Sequence, residues 1–300
     1  MLAVQKKSTE NPSIFRRSAK LMGDHFEISV VGKDAIWANQ RIESAVNEIN
    51  RVDKLLSTFV DDSIINEINR NAGIKSVKVS AEVYHLIDRS LQISELTHGT
   101  FDISYFTNSG NNNSVTCAGY KNVVLNAKTS TVFLTEKNMR IGFGANSRGY
   151  AADRAKYILQ MEGVANGVIN AGGDLLTWGL QPNLEPWTIA TADETQSLQP
   201  YADLVISNMA FATSTNADGY VSLTRKNNLN TSATGFVVSD IKSVSIVSPC
   251  AEFADAMASP ILSIGINNGL YLINQLNQVG CIVVDDHSRV YTSKDIRLVN

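Results

Sequence analysis

The sequence predicts an α+β fold, with mixed or antiparallel sheets packed against helices. Short strand-like segments follow one another through the chain, separated by polar turns. Between them lie segments whose apolar residues recur at helical spacing. This mixture of meandering strands and helices favours α+β over a doubly wound sheet. With 300 residues, 44% of them hydrophobic, the chain can bury a large core.

The first elements are two strands at residues 14–22 and 26–31 around a hairpin turn at Gly23-Asp24. A helix over about 36–56 follows, because its apolar residues would share one face. Asp62 or Ser63 is predicted to cap a short helix, which ends at residues 71–73. Ser80 is predicted to cap the next helix, which ends at residues 98–99, and residues 108–114 are predicted as a surface loop.

The second half of the chain continues the same mixture. Its helices are predicted at 148–161, 251–264 and 269–276. Its strands, counted from residue 121, are predicted at 121–125, 131–134, 139–141, 168–170, 175–178, 187–191, 203–207, 211–214, 221–224, 241–247, 281–284 and 290–292. The polar stretches 196–201 and 225–234 are predicted to be loops.

Composition excludes several classes of function. The net charge of −3 gives no general attraction to nucleic acid or anionic membranes, and no segment has the apolar length of a membrane span. Three cysteines without a Cys-x-x-Cys pair argue against a disulfide framework. Residues 1–13 form a polar leader without the apolar core of a signal peptide. We therefore expect a cytoplasmic protein, or a periplasmic one if an export signal has been removed.

Two glycine turns are the strongest functional signal. The first is Gly142-Phe-Gly-Ala-Asn-Ser-Arg-Gly149, and the second is Asn170-Ala-Gly-Gly-Asp174. Such turns can hold backbone open for a phosphate-bearing ligand at the start of a helix. A Rossmann NAD site is disfavoured, because the third glycine and the acidic residue about 20 positions later are missing. A purely structural turn remains the alternative.

Several landmarks together resemble the FAD:protein FMN transferases, the ApbE family, formerly called thiamine-biosynthesis lipoproteins. Leu21-Met-Gly23 stands where that family has Thr-Met-Gly-Thr. The other similar segments, in the family's order, are Leu56-Ser-Thr-Phe59 with Ser63 and Glu67-Ile-Asn69, His98-Gly-Thr-Phe-Asp102, Gly144-Ala-Asn-Ser-Arg-Gly-Tyr-Ala-Ala-Asp153, Asn170-Ala-Gly-Gly-Asp174, Glu185-Pro-Trp187, Ala212-Thr-Ser214 and Ala254-Asp-Ala-Met-Ala-Ser259. The resemblance implies a single ApbE-like domain over residues 14–300, with a T-fold-related architecture.

The chain also departs from the family pattern. Where the family has His-Ile-x-Asp-Pro-x-Thr-Gly, this chain has Asn228-Leu-Asn-Thr-Ser-Ala-Thr-Gly235. The family's histidine therefore falls on Asn228, and its helix-start lysine falls on Arg148. Arginine is permanently charged and forks well onto phosphate, but it cannot transfer a proton. The catalytic base is thus unknown, with His25 as a speculative substitute.

The implied reaction moves FMN from FAD to a threonine or serine hydroxyl of a target protein, with Mg²⁺, and releases AMP. The implied metal ligands are the side chains of Asp255 and Ser259 and a backbone carbonyl near Ala145. The implied FAD-binding residues are Met22, Phe59, Phe101, Asp102, Arg148, Asp174, Thr213, Ser214, Thr234 and Gly235. The implied partners are FAD and a flavin-acceptor protein, without nucleic acid or a membrane span, and a homodimer is also considered.

Plainer interpretations stand beside these assignments. Asp255 and Ser259 are four apart and share one helix face, which is often only a solvated face. Their small, apolar neighbours instead favour a partly buried carboxylate, which needs a partner such as a cation. Asp174 reads equally as a turn aspartate, and Phe59 as a core residue. Two alternative functions also remain: a flavin-nucleotide or metal-binding protein without transfer activity, and a pyrophosphatase that hydrolyses FAD to FMN and AMP.

Overall fold

The computed structural model describes residues 12–107, 115–144, 146–192, 200–215, 241–294 and 296. Its centre is an antiparallel sheet of eight strands in the order β1-β2-β9-β10-β13-β14-β15-β16. Three smaller sheets have the strand orders β3-β7-β6, β5-β4-β8 and β11-β12. The predicted α+β class is therefore confirmed.

The helices and strands have the following bounds. The helices are α1 (Ala35–Leu56), α2 (Ile64–Arg70), α3 (Ala81–Leu96), α4 (Ser147–Met161), α5 (Ala251–Ile264) and α6 (Ile266–Ile273). The strands are β1 (Ser13–Leu21), β2 (Asp24–Gly32), β3 (Val77–Lys78), β4 (Ser104–Thr107), β5 (Val115–Cys117), β6 (Val123–Asn126), β7 (Thr131–Leu134), β8 (Met139–Ile141), β9 (Gly167–Ala171), β10 (Asp174–Trp178), β11 (Thr188–Ala192), β12 (Pro200–Val205), β13 (Ala210–Thr215), β14 (Ile241–Ser248), β15 (Gly280–Asp285) and β16 (Val290–Thr292).

The two faces of the central sheet belong to different apolar clusters. Alternate residues of each strand point to opposite faces, so Leu176 joins the main core while Leu175 does not. The main core includes the buried faces of α1, α4 and α5. On the other face, Leu204 and Ile206 pack with Val247 of the sheet. Helices thus cover one face, while β12 and the residues that follow it help to cover the other.

The hairpin of β1 and β2 turns tightly at its end. Met22 and Gly23 both have positive φ, 52° and 80°. This is the backbone pattern of the two-residue turns that match the twist of paired strands. The register pairs Leu21 with Asp24, so the turn itself is Met22-Gly23, one residue before the predicted Gly23-Asp24. The turn fixes the position of Asp24 at the start of β2.

Local capping signals account for several helix starts. The side chains of Asp34, Ser63 and Ser80 accept hydrogen bonds from backbone amides in the first turns of α1, α2 and α3. The predicted caps at Ser63 and Ser80 are therefore confirmed. The bounds predicted for α5 agree with the structure. Among the described residues, no helix combines the length and the apolar character needed to cross a membrane.

Several predicted boundaries were wrong. Ser13 already belongs to β1, and Lys121 lies in a 3₁₀ turn before β6. Residues 200–201 belong to β12 rather than to a loop, and Pro200 pairs with Ala192 of β11. The last helix spans 266–273 instead of 269–276, and the short strands β3, β4 and β5 were missed. The predicted elements at 108–114, 221–224 and 225–234 lie outside the described residues.

Candidate active site

A cavity of about 770 Å³ lies where the turn of the first hairpin meets the starts of α4 and β10. Its walls contain ten of the residues to which the family resemblance gives a role in binding FAD or metal: Met22, Phe59, Phe101, Asp102, Arg148, Asp174, Thr213, Ser214, Asp255 and Ser259. The structure thus brings together every one of these candidates that it describes. Ala145, Asn228, Thr234 and Gly235 lie outside the described residues.

The second glycine turn has a different use from the one predicted. Gly172 and Gly173 have φ values of +68° and +102°, which only glycine adopts readily. The Gly172 amide donates to the carbonyl of His25, and the Gly173 amide donates to Oδ1 of Asn170. Both amides are therefore engaged within the protein. This turn makes room for neighbouring groups in the cavity and is not an open phosphate cradle.

Helices α4 and α5 approach each other at Gly149. A Cβ atom at this position would lie 2.3 Å from the carbonyl oxygen of Ala251. The absence of a side chain lets the Gly149 amide donate to Oδ2 of Asp255 over 3.1 Å. A carboxylate here also faces the positive end of the α4 dipole. Gly149 therefore explains why Asp255 of α5 lies beside Arg148 of α4.

The start of α5 is capped by a residue of α4. Asp153 accepts from the amide of Ala251 over 3.1 Å and from the amide of Glu252 over 2.8 Å. Its carboxylate also accepts from the Cys250 thiol. Cys250, the N-cap residue before α5, makes no capping bond with its own side chain, so Asp153 supplies the acceptor. Asp153 of α4 thus accepts from α5, and Asp255 of α5 accepts from α4.

Arg148 supplies positive charge to the cavity. Its Nη1 donates to Oδ2 of Asp24 over 3.2 Å. The Arg148 side chain is 21% exposed, so the cavity reaches it. An arginine at the first turn of a helix is well suited to bind phosphate oxygens, because its fork adds to the amides of the helix start.

Asp174 and Asp255 form an acidic pair at the cavity floor. Burial raises the pKa of each carboxyl, and the Asp174 charge raises the pKa of Asp255 further. Arg148 partly offsets these effects on both groups. The Thr213 amide donates to Oδ1 of Asp174 over 3.1 Å. Two half-buried carboxylates, one of which disfavours the charge of the other, are a suitable setting for a cation.

The donor set fits Mg²⁺. Beside Asp255, the hydroxyls of Ser259 and Ser214 share a hydrogen bond of 3.0 Å. Within the described ranges, no group of three or more His, Cys, Asp or Glu residues is arranged to hold a metal. Mg²⁺ does not need such a group, since it binds one or two carboxylates and completes its shell with water and phosphate oxygens. Asp255, with Asp174 and the Ser259 hydroxyl, supplies a donor set of this type.

The aromatic candidates occupy different depths. Phe59 is 96% exposed at the cavity rim, which excludes its interpretation as a core residue. Its amide donates to the Ser57 hydroxyl, which fixes the loop after α1. Phe101, in contrast, is 3% exposed and packs in the main core. Of these two candidates, Phe59 is the one that presents an uncovered ring to a ligand in the cavity.

Asp102 has a clear structural use. Its carboxylate accepts from the amide and hydroxyl of Ser104, from the Cys117 thiol and from the Tyr120 amide. These bonds tie the loop after α3 to β4, β5 and the 3₁₀ turn. Asp102 lines the cavity, but these four protein donors already surround its oxygens.

Sequence reasoning missed several lining residues, including Asp24, Asp53, Tyr105 and Ser147. Asp24 stands beside the Met-Gly landmark, and its charge was a signal that could have drawn attention to it. His25, the speculative base, is exposed. Among the described residues that line the cavity, none is a histidine.

Comparison with known proteins gives a consistent result. The family model described as the ApbE family matches residues 22–283. An FAD:protein FMN transferase of Klebsiella pneumoniae is 23% identical over 272 residues, which cover 82% of this chain and 77% of the relative. The Escherichia coli K12 protein of the same name is 23% identical over 287 residues, covering 87% and 81%.

Solved structures match the fold over nearly the whole chain. The ApbE protein of Thermotoga maritima superposes with a TM-score of 0.75 at 22% identity, covering 94% of this chain and 97% of that one. The flavin transferase ApbE of Vibrio cholerae has a TM-score of 0.75 at 19% identity, covering 94% and 98%. At these identities the structural likeness supports the shared fold.

Proposed function

Because the chain belongs to the ApbE family, we propose that it is an FAD:protein FMN transferase. It would move FMN from FAD to a threonine or serine hydroxyl of a target flavoprotein, using Mg²⁺ and releasing AMP. The observation that carries this proposal is the pairing of Arg148 with the acidic residues Asp174 and Asp255 in one cavity. Phosphoryl transfer at a diphosphate needs cationic groups for the phosphate oxygens and a site for a divalent ion.

Each side chain has a separate task in this scheme. Arg148 binds oxygens of the diphosphate, and Phe59 at the rim offers its ring to the flavin or adenine. Asp255, Asp174 and Ser259 would hold Mg²⁺, which when bound neutralises charge that develops on the phosphates. The Gly149 amide keeps the Asp255 carboxylate oriented, because it donates to Oδ2.

The proposed step balances as a group transfer. The acceptor hydroxyl oxygen forms a bond to the phosphorus of the FMN half, and the bond from that phosphorus to the bridging oxygen breaks. AMP leaves with the bridging oxygen, and the hydroxyl proton passes to a base. The segment that aligns with the family's histidine motif, residues 228–235, lies outside the described residues. The reaction class therefore rests on the cavity and the family, without an assigned base.

The presence of Asn228 at the family's histidine position favours one alternative, a protein that binds flavin nucleotide without transfer. Water in place of the protein hydroxyl would instead give an FAD pyrophosphatase. One incubation with FAD, Mg²⁺ and a flavin-acceptor domain separates the three. Transfer gives AMP and a covalently flavinylated acceptor, hydrolysis gives AMP and free FMN, and binding alone gives no AMP.

Asp255→Ala tests the metal assignment within this proposal. We expect loss of AMP release and a large loss of Mg²⁺ or Mn²⁺ affinity by calorimetry, since the variant lacks the central carboxylate ligand. Asp286→Ala is the matched control, because Asp286 is exposed in the turn after β15 and does not line the cavity. Unchanged metal affinity in Asp255→Ala would refute the assignment of this ligand.

A further inference from the structure

Two departures from the family pattern meet in one contact. By the resemblance described above, Arg148 stands at the position of the family's lysine, and Asp24 stands at the position of the threonine that follows the family's Met-Gly. These positions are 124 residues apart in sequence, yet Nη1 of Arg148 donates to Oδ2 of Asp24 over 3.2 Å. The exchanges thus place an acidic and a basic group opposite each other in the cavity wall.

The Asp24 carboxylate is held in place on several sides. The Met22-Gly23 turn sets its backbone, and its Oδ1 accepts from the His25 amide over 2.8 Å. At Gly172, a Cβ atom would lie 2.6 Å from Oδ2 of Asp24, so the glycine leaves space for the carboxylate. A carboxylate fixed in this way can in turn fix the guanidinium that donates to it.

The charge balance suggests that this contact has a use. Asp24 lies close enough to Asp174 for its charge to act on that carboxyl, and both belong to a cavity that we propose binds a diphosphate. The Asp24 carboxylate repels a diphosphate in this cavity. It therefore weakens ligand binding unless it also orients a group that binds the ligand. A lysine is a compact charge that needs little orientation, whereas a guanidinium binds phosphate well only when its plane is correctly aimed.

We propose that Asp24 is a positioning residue that aims the Arg148 guanidinium at the diphosphate of FAD. The inference rests on the proposed function for the identity of the ligand. Asp24 is 37% exposed and Arg148 is 21% exposed, so the contact borders the open cavity and a ligand can reach it. Phosphate oxygens would then bind to the Arg148 guanidinium in the orientation that Asp24 sets.

The test is a double-mutant cycle on FAD affinity. Asp24→Thr, Arg148→Lys and the double variant are compared with the wild type by calorimetry or flavin fluorescence in buffer with Mg²⁺. Each single variant should weaken FAD binding by about tenfold. In Arg148→Lys, a lysine faces the Asp24 carboxylate, and in Asp24→Thr, the Arg148 guanidinium loses the acceptor that orients it. The double variant should return to within about threefold of the wild type, because it restores a compatible pair. In steady-state assays the single variants should raise KM for FAD, and the double variant should bring it back towards the wild-type value.

Further variants keep the test decisive. Asp24→Asn retains the shape of the side chain and should also weaken FAD binding about tenfold, even if threonine disturbs the turn. Glu43→Gln breaks the surface pair with Arg17, which is remote from the cavity, and should leave FAD affinity unchanged. Thermal melts confirm that every variant is folded.

The outcomes separate this inference from the proposed function. Single effects that simply multiply in the double variant, or wild-type affinity in Asp24→Asn, would overturn the role of Asp24. FAD binding that follows the expected cycle without AMP release would defeat the transferase and leave the Asp24–Arg148 pair supported. A wild-type protein that does not bind FAD would overturn both.

Discussion

Gly149→Ala tests the contact on which the site geometry depends. In an exposed helix, replacing glycine by alanine stabilises by about 1 kcal/mol, because alanine has the higher helix propensity. At Gly149 the new Cβ would lie 2.3 Å from the Ala251 oxygen and 2.6 Å from the Ala251 carbonyl carbon. Both are backbone atoms, so no side-chain rotation can relieve the clash. Helices α4 and α5 must move apart instead.

The size of the effect follows from this distance. Ordinary contact of a Cβ atom begins at 3.4 Å, so the helices must separate locally by about 1 Å. Overpacking of this kind costs about 1–3 kcal/mol, which offsets the gain in helix propensity and leaves a net loss of about 1 kcal/mol. The same movement lengthens the bond from the Gly149 amide to Asp255. A shift of about 1 Å in a catalytic group lowers activity by about 100-fold.

The measurements are urea unfolding and AMP release from FAD in the presence of Mg²⁺. Gly269→Ala is the comparison variant, because its Cβ would lie 2.7 Å from Cγ2 of the buried Ile261, and Gly269 does not line the cavity. It should also lose stability, since a β-branched side chain in a helix cannot rotate away, but it should keep full activity. If Gly149→Ala is stabilised and fully active, the close approach of α4 and α5 does not set the site as we argue.

Two further predictions concern the ligands. Phe59→Ala should change the free energy of unfolding by less than about 0.5 kcal/mol, since the ring is 96% exposed, but should weaken FAD binding about tenfold in a fluorescence titration. Equal FAD affinity in this variant would exclude stacking. Burial raises the pKa of Asp255, so the native metal-free state keeps a proton that the unfolded chain loses, and stability falls as the pH rises from 3.8 towards about 7. Mg²⁺ should therefore raise Tm more at pH about 8 than at pH about 5. Asp255→Asn should remove this difference. A Mg²⁺-dependent increase in Tm that is equal at both pH values would contradict the prediction.

The sequence predicted features with a local physical cause. Ser63 and Ser80 could be identified as caps because the acceptor and its amides lie within four residues. The bounds of α5 were clear because its apolar residues keep helical spacing. The short strands β3 and β5 were missed, since two or three residues carry no periodicity of their own. They form strands because a partner strand is nearby in the fold.

In the candidate site, too, some features could be predicted from the sequence and others depend on tertiary contacts. The resemblance identified a set of residues that the structure collects in one cavity, although their roles in binding remain predictions. It did not identify why they stay together. The cap of α5 by Asp153 joins α4 to the next helix packed on it, and the contact of Asp24 with Arg148 joins a hairpin to a helix. Such contacts depend on tertiary geometry, which no local sequence pattern encodes.

The arrangement of α4 and α5 also limits how the site can change. Asp153 of α4 accepts from the start of α5, Asp255 of α5 accepts from Gly149 of α4, and Gly149 lets the two helices approach closely. A shift of α4 that repositioned Arg148 would therefore also disturb the contact between Gly149 and Asp255. Asp24, in the hairpin turn, supplies an acceptor for Arg148 from outside this pair of helices. Arg148 stands where the family has lysine. We therefore expect this change to be compensated at Asp24, where the structure provides a fixed acceptor for the guanidinium.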